Sequence, residues 1–358
     1  MAVTPDTLTL LDGARVRVGE HVDGVTQDLA LAWARAWNEV AAEWEDALAD
    51  LVAASDNGAW PPPGKVRRAK KALAALEQTR RLVTDLADLI PLRVVQVLPT
   101  LTAEAVEWQT RLTASQFPPQ AGPATVIAAT FDRVDDDAVR AIVDRTSRRV
   151  TALSRPLSAQ ADAAMRSALV KGVTVGDHPE AAARDMLARV RGLFDGGLQR
   201  ARVIARTEML DAHRTASRAQ QDRMASTLDG WEWICALDSR TCPSCLSQHG
   251  SIHPLTEAGP LDHQQGRCDR LPVVKPWSEL GYPDVVEPPS VVPDAQAWFD
   301  GLPASQREQI MGRERLALLD SGAIRWSDLS TQRRTDGWRP SYVPTPVKNL
   351  TVKASRAA

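Results

Sequence analysis

Four residues near the middle of the chain have the types and spacing of metal ligands: Cys242, Cys245, His263 and Cys268. This set takes three of the four cysteines and one of the six histidines, and it spans 27 residues. A Cys-x2-Cys pair places two thiolates in one tight turn, and a return segment can add the two further ligands of a tetrahedral zinc site. We expect a structural zinc ion that fixes a short strand to its return loop and contributes folding free energy to a small module.

Other ligand sets and roles stay open for this segment. His249 and His253 could join the Cys-x2-Cys pair in place of the return residues, although short spacings on both sides would crowd the ion. A catalytic zinc needs an open coordination position and a nearby base; Glu257 is the close candidate, and we discount it. Cys235 falls in a predicted strand, where we expect a small buried apolar residue.

The rest of the chain is predicted to be mostly α-helical with a small β element. Ala, Leu, Val and Arg are abundant whereas Phe and Tyr are rare, a usage that favours helices. Apolar residues recur every three or four positions over 22–52, and Trp33, Trp37 and Trp44 belong to that stripe. A second helix fits 64–90, so the two predict an N-terminal helical hairpin or bundle. We interpret the Trp stripe as core or partner-helix packing.

Breaks in composition divide the chain into four predicted regions. A Pro-rich run after residue 117 separates an N-terminal helical region, 1–117, from a helical domain over 124–271. That domain includes a short strand at 231–237 and ends in a Cys/His knuckle at 238–268. A Pro-rich segment with one helix follows over 272–320. Residues 321–358 hold seven Lys/Arg against two Asp/Glu and are predicted to form an extended basic tail.

Composition also bears on the classes of function. The net charge of −2 makes the whole molecule no obvious binder of polyanions. The N-terminus lacks the basic start and apolar block of a secretory signal, and we expect no apolar run long enough to span a bilayer. Four cysteines, three of them clustered, fit a metal knuckle formed in a reducing cytoplasm better than a disulfide framework.

The predicted tail is a candidate docking segment. Its cationic side chains could contact phosphates without sequence preference, and an aromatic side chain could stack on exposed bases. The same side chains could equally dock on a protein surface, which we rank above DNA contact. The residues concerned are Arg333, Arg334, Trp338, Arg339 and Lys348.

Several short motifs accompany the knuckle. They are Ala205-Arg206-Thr207-Glu208 on a helix, Trp231-x-Trp233, and Asp238-x-Arg240-Thr241-Cys242-Pro243-x-Cys245, followed by Gly250, Pro260, His263, Arg267 and Cys268. In combination they resemble the phage Mu F-like (MuF) head morphogenesis family, the minor capsid proteins of tailed phages. The resemblance covers roughly 130–330. Gly266 stands where the family has the first cysteine of Cys-Arg-Cys, so the third and fourth ligands stay open.

The resemblance implies a non-enzymatic protein of the virion. Such proteins are made in the host cytoplasm alongside the portal and scaffold and are carried in the head interior near the portal. The implied partners are the portal protein, the major capsid or scaffold protein, and packaged DNA bound without sequence preference; no membrane is implied. The alternative is a capsid maturation protease or another metal-dependent phage enzyme. The chain has no G-x-S-x-G, H-E-x-x-H or D-T-G motif, which favours the non-enzymatic adaptor.

The resemblance also suggests a polar lock between the Arg-Thr-Glu helix and the knuckle. Residues two positions apart do not share a helix face, so Arg206 and Glu208 on either side of Thr207 need separate partners. We predict that Arg206 pairs with Asp238. We also predict that Glu208 accepts hydrogen bonds from Arg240 or the Thr241 hydroxyl, as charge-assisted contacts.

Overall fold

A computed structural model of the chain describes residues 3–55, 69–157, 179–336 and 339–351, together with 159, 160, 163 and 167. The helices that precede its first strand are α1 (Pro5–Ala53), α2 (Lys70–Ala114), α3 (Ala124–Thr130), α4 (Asp136–Ser154) and α5 (Pro179–Arg223). Short elements follow: β1 (Leu228–Ile234), α6 (Pro243–Gln248), β2 (Ile252–His253), β3 (Asp269–Val274), α7 (Ala295–Asp300), α8 (Ala304–Met311), α9 (Arg313–Asp320), β4 (Ser330–Arg333) and β5 (Ser341–Pro344). The prediction of a mostly helical chain with a small β element is confirmed.

The residues group into two units, which do not coincide with the four serial regions predicted from the sequence. The β unit comprises Met1–Gly19, Pro99–Val143 and Leu210–Ala358, and the helical unit comprises Glu20–Leu98 and Asp144–Met209. Each of α1, α2 and α5 contributes residues to both units. Boundaries placed at sequence breaks cannot follow such a division, because no break interrupts these helices.

Tryptophan burial organises the helical unit. Trp33 and Trp44 are buried, and Trp44 Nε1 donates a hydrogen bond of 2.9 Å to Thr79 Oγ1. The indole N–H is thereby satisfied inside an apolar cluster, as a buried Trp requires. Trp37 packs its ring 5.7 Å from that of Phe194. The core interpretation of the Trp stripe is therefore confirmed.

A three-stranded antiparallel sheet in the order β2-β1-β3 organises the β unit. Its central strand, β1, alternates between two faces. Trp231 and Trp233 lie in one apolar cluster with Phe299 and Leu329, whereas Ile234 lies in a second cluster with Leu112. With both faces covered, the strand is buried at six of its seven positions. This rigid strand leads directly into the predicted metal ligands.

The prediction of an extended basic tail is wrong for the described residues of 321–351. Strands β4 and β5 pair as an antiparallel hairpin, with Gln332 opposite Tyr342. Leu329 and Leu350 are buried in the Trp233 cluster, and the Tyr342 ring meets Trp233 edge-on at 5.8 Å. The sequence did not reveal these buried residues, because they are spaced too irregularly to show a helical or strand period among the basic residues.

Helix α2 is long and apolar enough to pass a membrane-span criterion based on length and composition alone. Its best 18-residue window has a mean hydropathy of 1.3, so the expectation that no run reaches this length is wrong. Ile90, Val94, Leu98 and Leu101 on this helix are fully buried in the protein. These residues give it the character of a core helix.

Candidate metal centre

The first two sulfurs are positioned by the start of α6. Cys242 is the residue before the helix, and its Sγ accepts a hydrogen bond of 3.4 Å from the backbone N–H of Cys245. Pro243 occupies the first helical position. An N–H at this position has no acceptor within the helix, so a proline here costs no hydrogen bond. The turn that begins the helix is therefore the turn that brings the two thiols together.

The return loop before β3 supplies the other two predicted ligands. Its turn is closed by a hydrogen bond of 2.9 Å from Gly266 N–H to the carbonyl of His263. Gln265 has a φ of +62° in this turn. His263 Nδ1 lies 2.8 Å from the carbonyl oxygen of Gln264, so Nε2 is the nitrogen left to face a metal. A carbonyl bonded to the second ring nitrogen fixes the tautomer and the ring orientation.

These segments meet in one cluster. The ligand atoms of Cys242, Cys245 and His263 all lie within 4.8 Å of one another, and the three could hold a metal ion. Among the described residues, Cys268 is not a member of this group of three. All four side chains line the same small cavity, which Cys235 also borders. The structure thus brings three of the four predicted ligands together and places Cys268 at the same cavity.

The electrostatics of the cluster favour a thiolate at Cys242. Hydrogen bonds with Cys245 and with His263 lower the pKa of Cys242 to about 5, against desolvation. The same contact with Cys242 raises the pKa of His263 to about 9. The pKa of Cys245 is raised by its contacts with Cys242 and Cys268 and by burial. One thiolate is therefore formed near neutral pH, and a bound cation would draw protons from the rest.

A buried ion cluster holds the return loop in place. The fully buried Asp262 accepts hydrogen bonds from Arg214 Nη2 at 2.8 Å, Arg339 Nη2 at 3.0 Å and the Cys268 N–H at 3.1 Å. Arg214, itself buried, also donates to the carbonyls of Gly266 and Cys268. A Cβ at position 266 would lie 2.1 Å from Asp262 Oδ2, so this position requires glycine. Two arginines thus fix the loop around one carboxylate.

The predicted polar lock has different partners in the structure. Arg206 Nη1 donates to Asp23 Oδ1 at 2.6 Å, whereas Asp238 is paired with Arg267 at 2.7 and 2.8 Å. The predicted Arg206–Asp238 pairing is therefore wrong. The two parallel hydrogen bonds from Arg267 hold the pKa of Asp238 well below its usual range.

The other half of the lock is also different. Glu208 accepts a hydrogen bond of 2.9 Å from Arg149 Nε on α4. Arg240 and Thr241 both contact Asp238, through a backbone N–H at 2.9 Å and a hydroxyl at 3.0 Å. Thr207, the middle residue of the motif, is buried. Asp238 thus organises its own turn, and the Arg-Thr-Glu residues serve the helical unit.

The alternative histidine ligands are occupied by other contacts. His249 Nδ1 accepts the N–H of Cys235 at 3.0 Å, and its Nε2 lies 3.0 Å from the Pro293 carbonyl. Burial lowers the pKa of His249 to about 4, which keeps the ring neutral. His253 stacks on Trp231 with ring centroids 4.4 Å apart. Neither imidazole joins the metal group found among the described residues.

His253 belongs to a serine–histidine–glutamate arrangement that the sequence did not reveal. Its Nε2 lies 2.9 Å from Ser251 Oγ, and its Nδ1 lies 3.1 Å from Glu257 Oε1. These distances suit a hydrolytic triad. However, the Ser251 hydroxyl donates to the carbonyl of Gln248 at 2.6 Å, so its proton is directed away from the imidazole. We read the arrangement as a turn that holds His253 against Trp231.

The predicted docking residues are divided by the fold. Arg339 is mostly buried in the ion cluster, with 13% of its side chain exposed, and is therefore withdrawn from any docking surface. Arg333, Arg334 and Lys348 are exposed. Trp338 lies outside the described residues. The sequence around Arg339 did not reveal its partners, because Asp211 and Asp262, which contact it in the fold, are far away in sequence.

Comparison with known proteins bears on the same segment. Residues 163–268 match a family described as Phage Mu protein F like protein. This segment is similar to that family. The resemblance read from the motifs is thereby confirmed, and the match ends at Cys268, so the matched segment contains all four predicted ligands. The family is one of phage head morphogenesis proteins. No curated protein and no solved structure matched the chain.

Sequence reasoning named the Cys/His cluster but missed the residues that hold it in place. The sequence did offer one signal for Asp262, since this acidic residue directly precedes the predicted ligand His263. Arg214 gave none, because it is one of several charged residues spread along α5. Its role depends on burial, which a single helical turn does not reveal.

Proposed function

We propose that this chain is a minor head protein of a tailed phage, carried inside the capsid near the portal. In this role it assists head assembly, DNA packaging or DNA delivery without catalysing a reaction. The observation that carries the proposal is the match of residues 163–268 to the Mu F-like family. The proposed partners are the portal and the major capsid or scaffold protein, with packaged DNA contacted non-specifically.

We also propose that the Mu F-like domain holds a structural zinc ion through Cys242, Cys245, His263 and Cys268. Three sulfurs and one imidazole nitrogen are a donor set that zinc prefers, and four protein ligands close its tetrahedral coordination. A thiolate near neutral pH and an oriented imidazole support the fit. The ion would hold α6 and the return loop together, a mechanical role that agrees with a non-enzymatic adaptor.

The function is tested in the phage that encodes the chain. Mass spectrometry of purified virions should find the protein in the head fraction, and tagged portal protein should capture it from infected cells. A tail protein used as bait in the same lysate controls for non-specific capture. Absence from virions together with no capture by the portal would reject the proposal.

The metal is tested on the purified full chain. Elemental analysis should find one zinc per chain in the wild type and a strong loss in Cys242→Ser. The matched control is Cys235→Ser, which alters a cysteine at the same cavity that lies outside the proposed ligand set and should retain the ion. A folded wild type without metal would refute the zinc centre while leaving the head assignment to the virion experiment.

A further inference from the structure

The two segments that carry the proposed ligands are joined a second time, by the hairpin of β4 and β5. We call Ser330–Arg333, Arg339 and Ser341–Pro344 the C-terminal strap. It begins 62 residues after Cys268 and lies beyond the Mu F-like match, which ends at that cysteine. Its contacts with the metal centre are therefore not part of the matched pattern.

One strand of the strap holds the cysteine turn. Ser330 Oγ on β4 lies 2.7 Å from Ser244 Oγ, and it accepts a hydrogen bond of 3.2 Å from Gln248 Nε2. Both partners belong to α6, and Ser244 stands between the two cysteines. Ser244 is buried and Ser330 is partly buried, so a lost hydrogen bond here leaves the buried Ser244 hydroxyl short of a partner, which is costly.

The other side of the strap holds the return loop. Arg339 donates from Nη2 to Asp262 Oδ1 at 3.0 Å and from Nη1 to the Asp262 carbonyl at 3.1 Å, directly before the ligand His263. Its Nε lies 2.9 Å from Asp211 Oδ1 on α5. The Tyr342 N–H adds a bond of 2.6 Å to the carbonyl of Leu261. These charge-assisted contacts fix the loop from outside.

The strap is continuous between its two ends. Ser330 pairs with Pro344 and Arg333 with Ser341 across the β4–β5 ladder. Separating the cysteine turn from the return loop therefore requires either breaking this ladder or detaching one end of the strap. The β1–β3 pairing connects the same segments on its own, so the metal centre is spanned by two independent links.

We propose that the C-terminal strap retains the metal, with Arg339 as its principal positioning residue. Opening of the return loop lets an ion leave a closed four-ligand site, and the strap opposes that opening through Asp262. The inference rests on the zinc centre proposed above and assigns to residues 330–344 a role in the stability of that centre. Mutation of residues that hold metal ligands through hydrogen bonds from outside the ligand shell commonly weakens metal affinity by about 10- to 100-fold.

The test compares rates of metal loss from the full-length zinc-loaded protein. A colorimetric chelator in excess takes up released zinc, and Arg339→Ala should release it at least about tenfold faster than the wild type. Arg339→Lys should restore part of the slow release, because it keeps the charge near Asp262 but loses the paired donors. The matched control is Arg334→Ala, an exposed arginine in the connection between the two strands and outside the strap, which should release zinc at the wild-type rate.

Two measurements separate retention from general instability. Circular dichroism should show equal helix content in all variants, and the cobalt-substituted proteins should show the same thiolate-to-metal absorption, since the ligands are unchanged. If Arg339→Ala does not fold, Ser330→Ala loosens the opposite end of the strap without disturbing the ion cluster and should also release zinc faster. Equal release rates in folded variants and wild type would overturn the strap but not the zinc centre. A metal-free wild type would overturn both.

Discussion

Glu232 offers the sharpest test of how the β unit is built. It lies on the central strand β1, opposite Leu271 on β3 and Ile252 on β2, and is only 4% exposed. Its Oε2 has no hydrogen-bond partner within the described part of the chain. Burial without compensation raises the pKa of this carboxyl from 4.5 to about 7. We predict that Glu232→Gln removes a pH-dependent cost from the wild-type fold.

The sign follows from the raised pKa. The folded state holds the proton more tightly than the unfolded chain, so Glu232 costs nothing below pH 4.5, and the cost grows until the pH passes about 7. A shift of this size corresponds to about 3 kcal/mol at pH 8 and about 1 kcal/mol at pH 5. The variant should therefore gain stability relative to the wild type as the pH rises. The free energy of unfolding of Glu232→Gln minus that of the wild type should be about 2 kcal/mol larger at pH 8 than at pH 5.

Urea unfolding followed by tryptophan fluorescence at pH 5, 6, 7 and 8, in a fixed excess of zinc, measures this difference. Groups that titrate in both proteins cancel, including the metal ligands. Asp229→Asn is the matched control, since Asp229 is exposed on the same strand and its substitution should change stability by no more than about 0.5 kcal/mol at every pH. A Glu232→Gln difference that stays constant from pH 5 to pH 8 would refute the reasoning.

Three further substitutions probe other contacts. Arg214→Met removes one of the two arginines that pair with the buried Asp262 and should destabilise the β unit by about 3 kcal/mol in urea unfolding. Gly266→Ala drives a methyl group into the same carboxylate, and zinc analysis should find the metal lost or the protein insoluble. Thr79→Val removes the acceptor of the Trp44 indole and should cost about 1–3 kcal/mol, measured as a lower urea midpoint for the helical unit.

Each of these has a matched control of the same type. Arg218→Met changes a partly exposed arginine on the same helix and should cost less than about 1 kcal/mol. Gly196→Ala adds a methyl group with no atom within 4 Å and should be tolerated. Thr84→Val alters an exposed threonine on α2 and should leave the midpoint nearly unchanged. Losses in these controls equal to those in the test variants would show that the named contacts are not the cause.

The sequence predicted the elements with strong periodicity and the ligands with diagnostic spacing. The Trp stripe of α1, the short strand β1 and the Cys-x2-Cys turn were all readable locally, because each pattern repeats within one turn or one strand. Arg339 was not readable, since its partners Asp211 and Asp262 lie more than 70 residues away. The sequence gives the sign of a residue's charge, but it does not show whether the side chain is buried.

The same limit explains the failed lock. The predicted pairing of Asp238 with Arg206 rests on their belonging to one family pattern, and such a pattern indicates co-occurrence but not contact. Arg267 reaches Asp238 with two short hydrogen bonds from the return loop, which lies close to the same turn. Residues that recur together can each serve a different neighbour within the fold, as Arg206 does with Asp23.

The C-terminal strap limits where genetic recombination could divide such a protein without loss of function. A genetic exchange with its seam at residue 268 would preserve every sulfur yet leave Asp262 facing a foreign sequence where Arg339 had been. It would also uncover the side of Trp233 that Tyr342 now meets. Recombination that yields viable descendants should therefore transfer the knuckle and the distal hairpin together, so that the lineages of these two segments share one history.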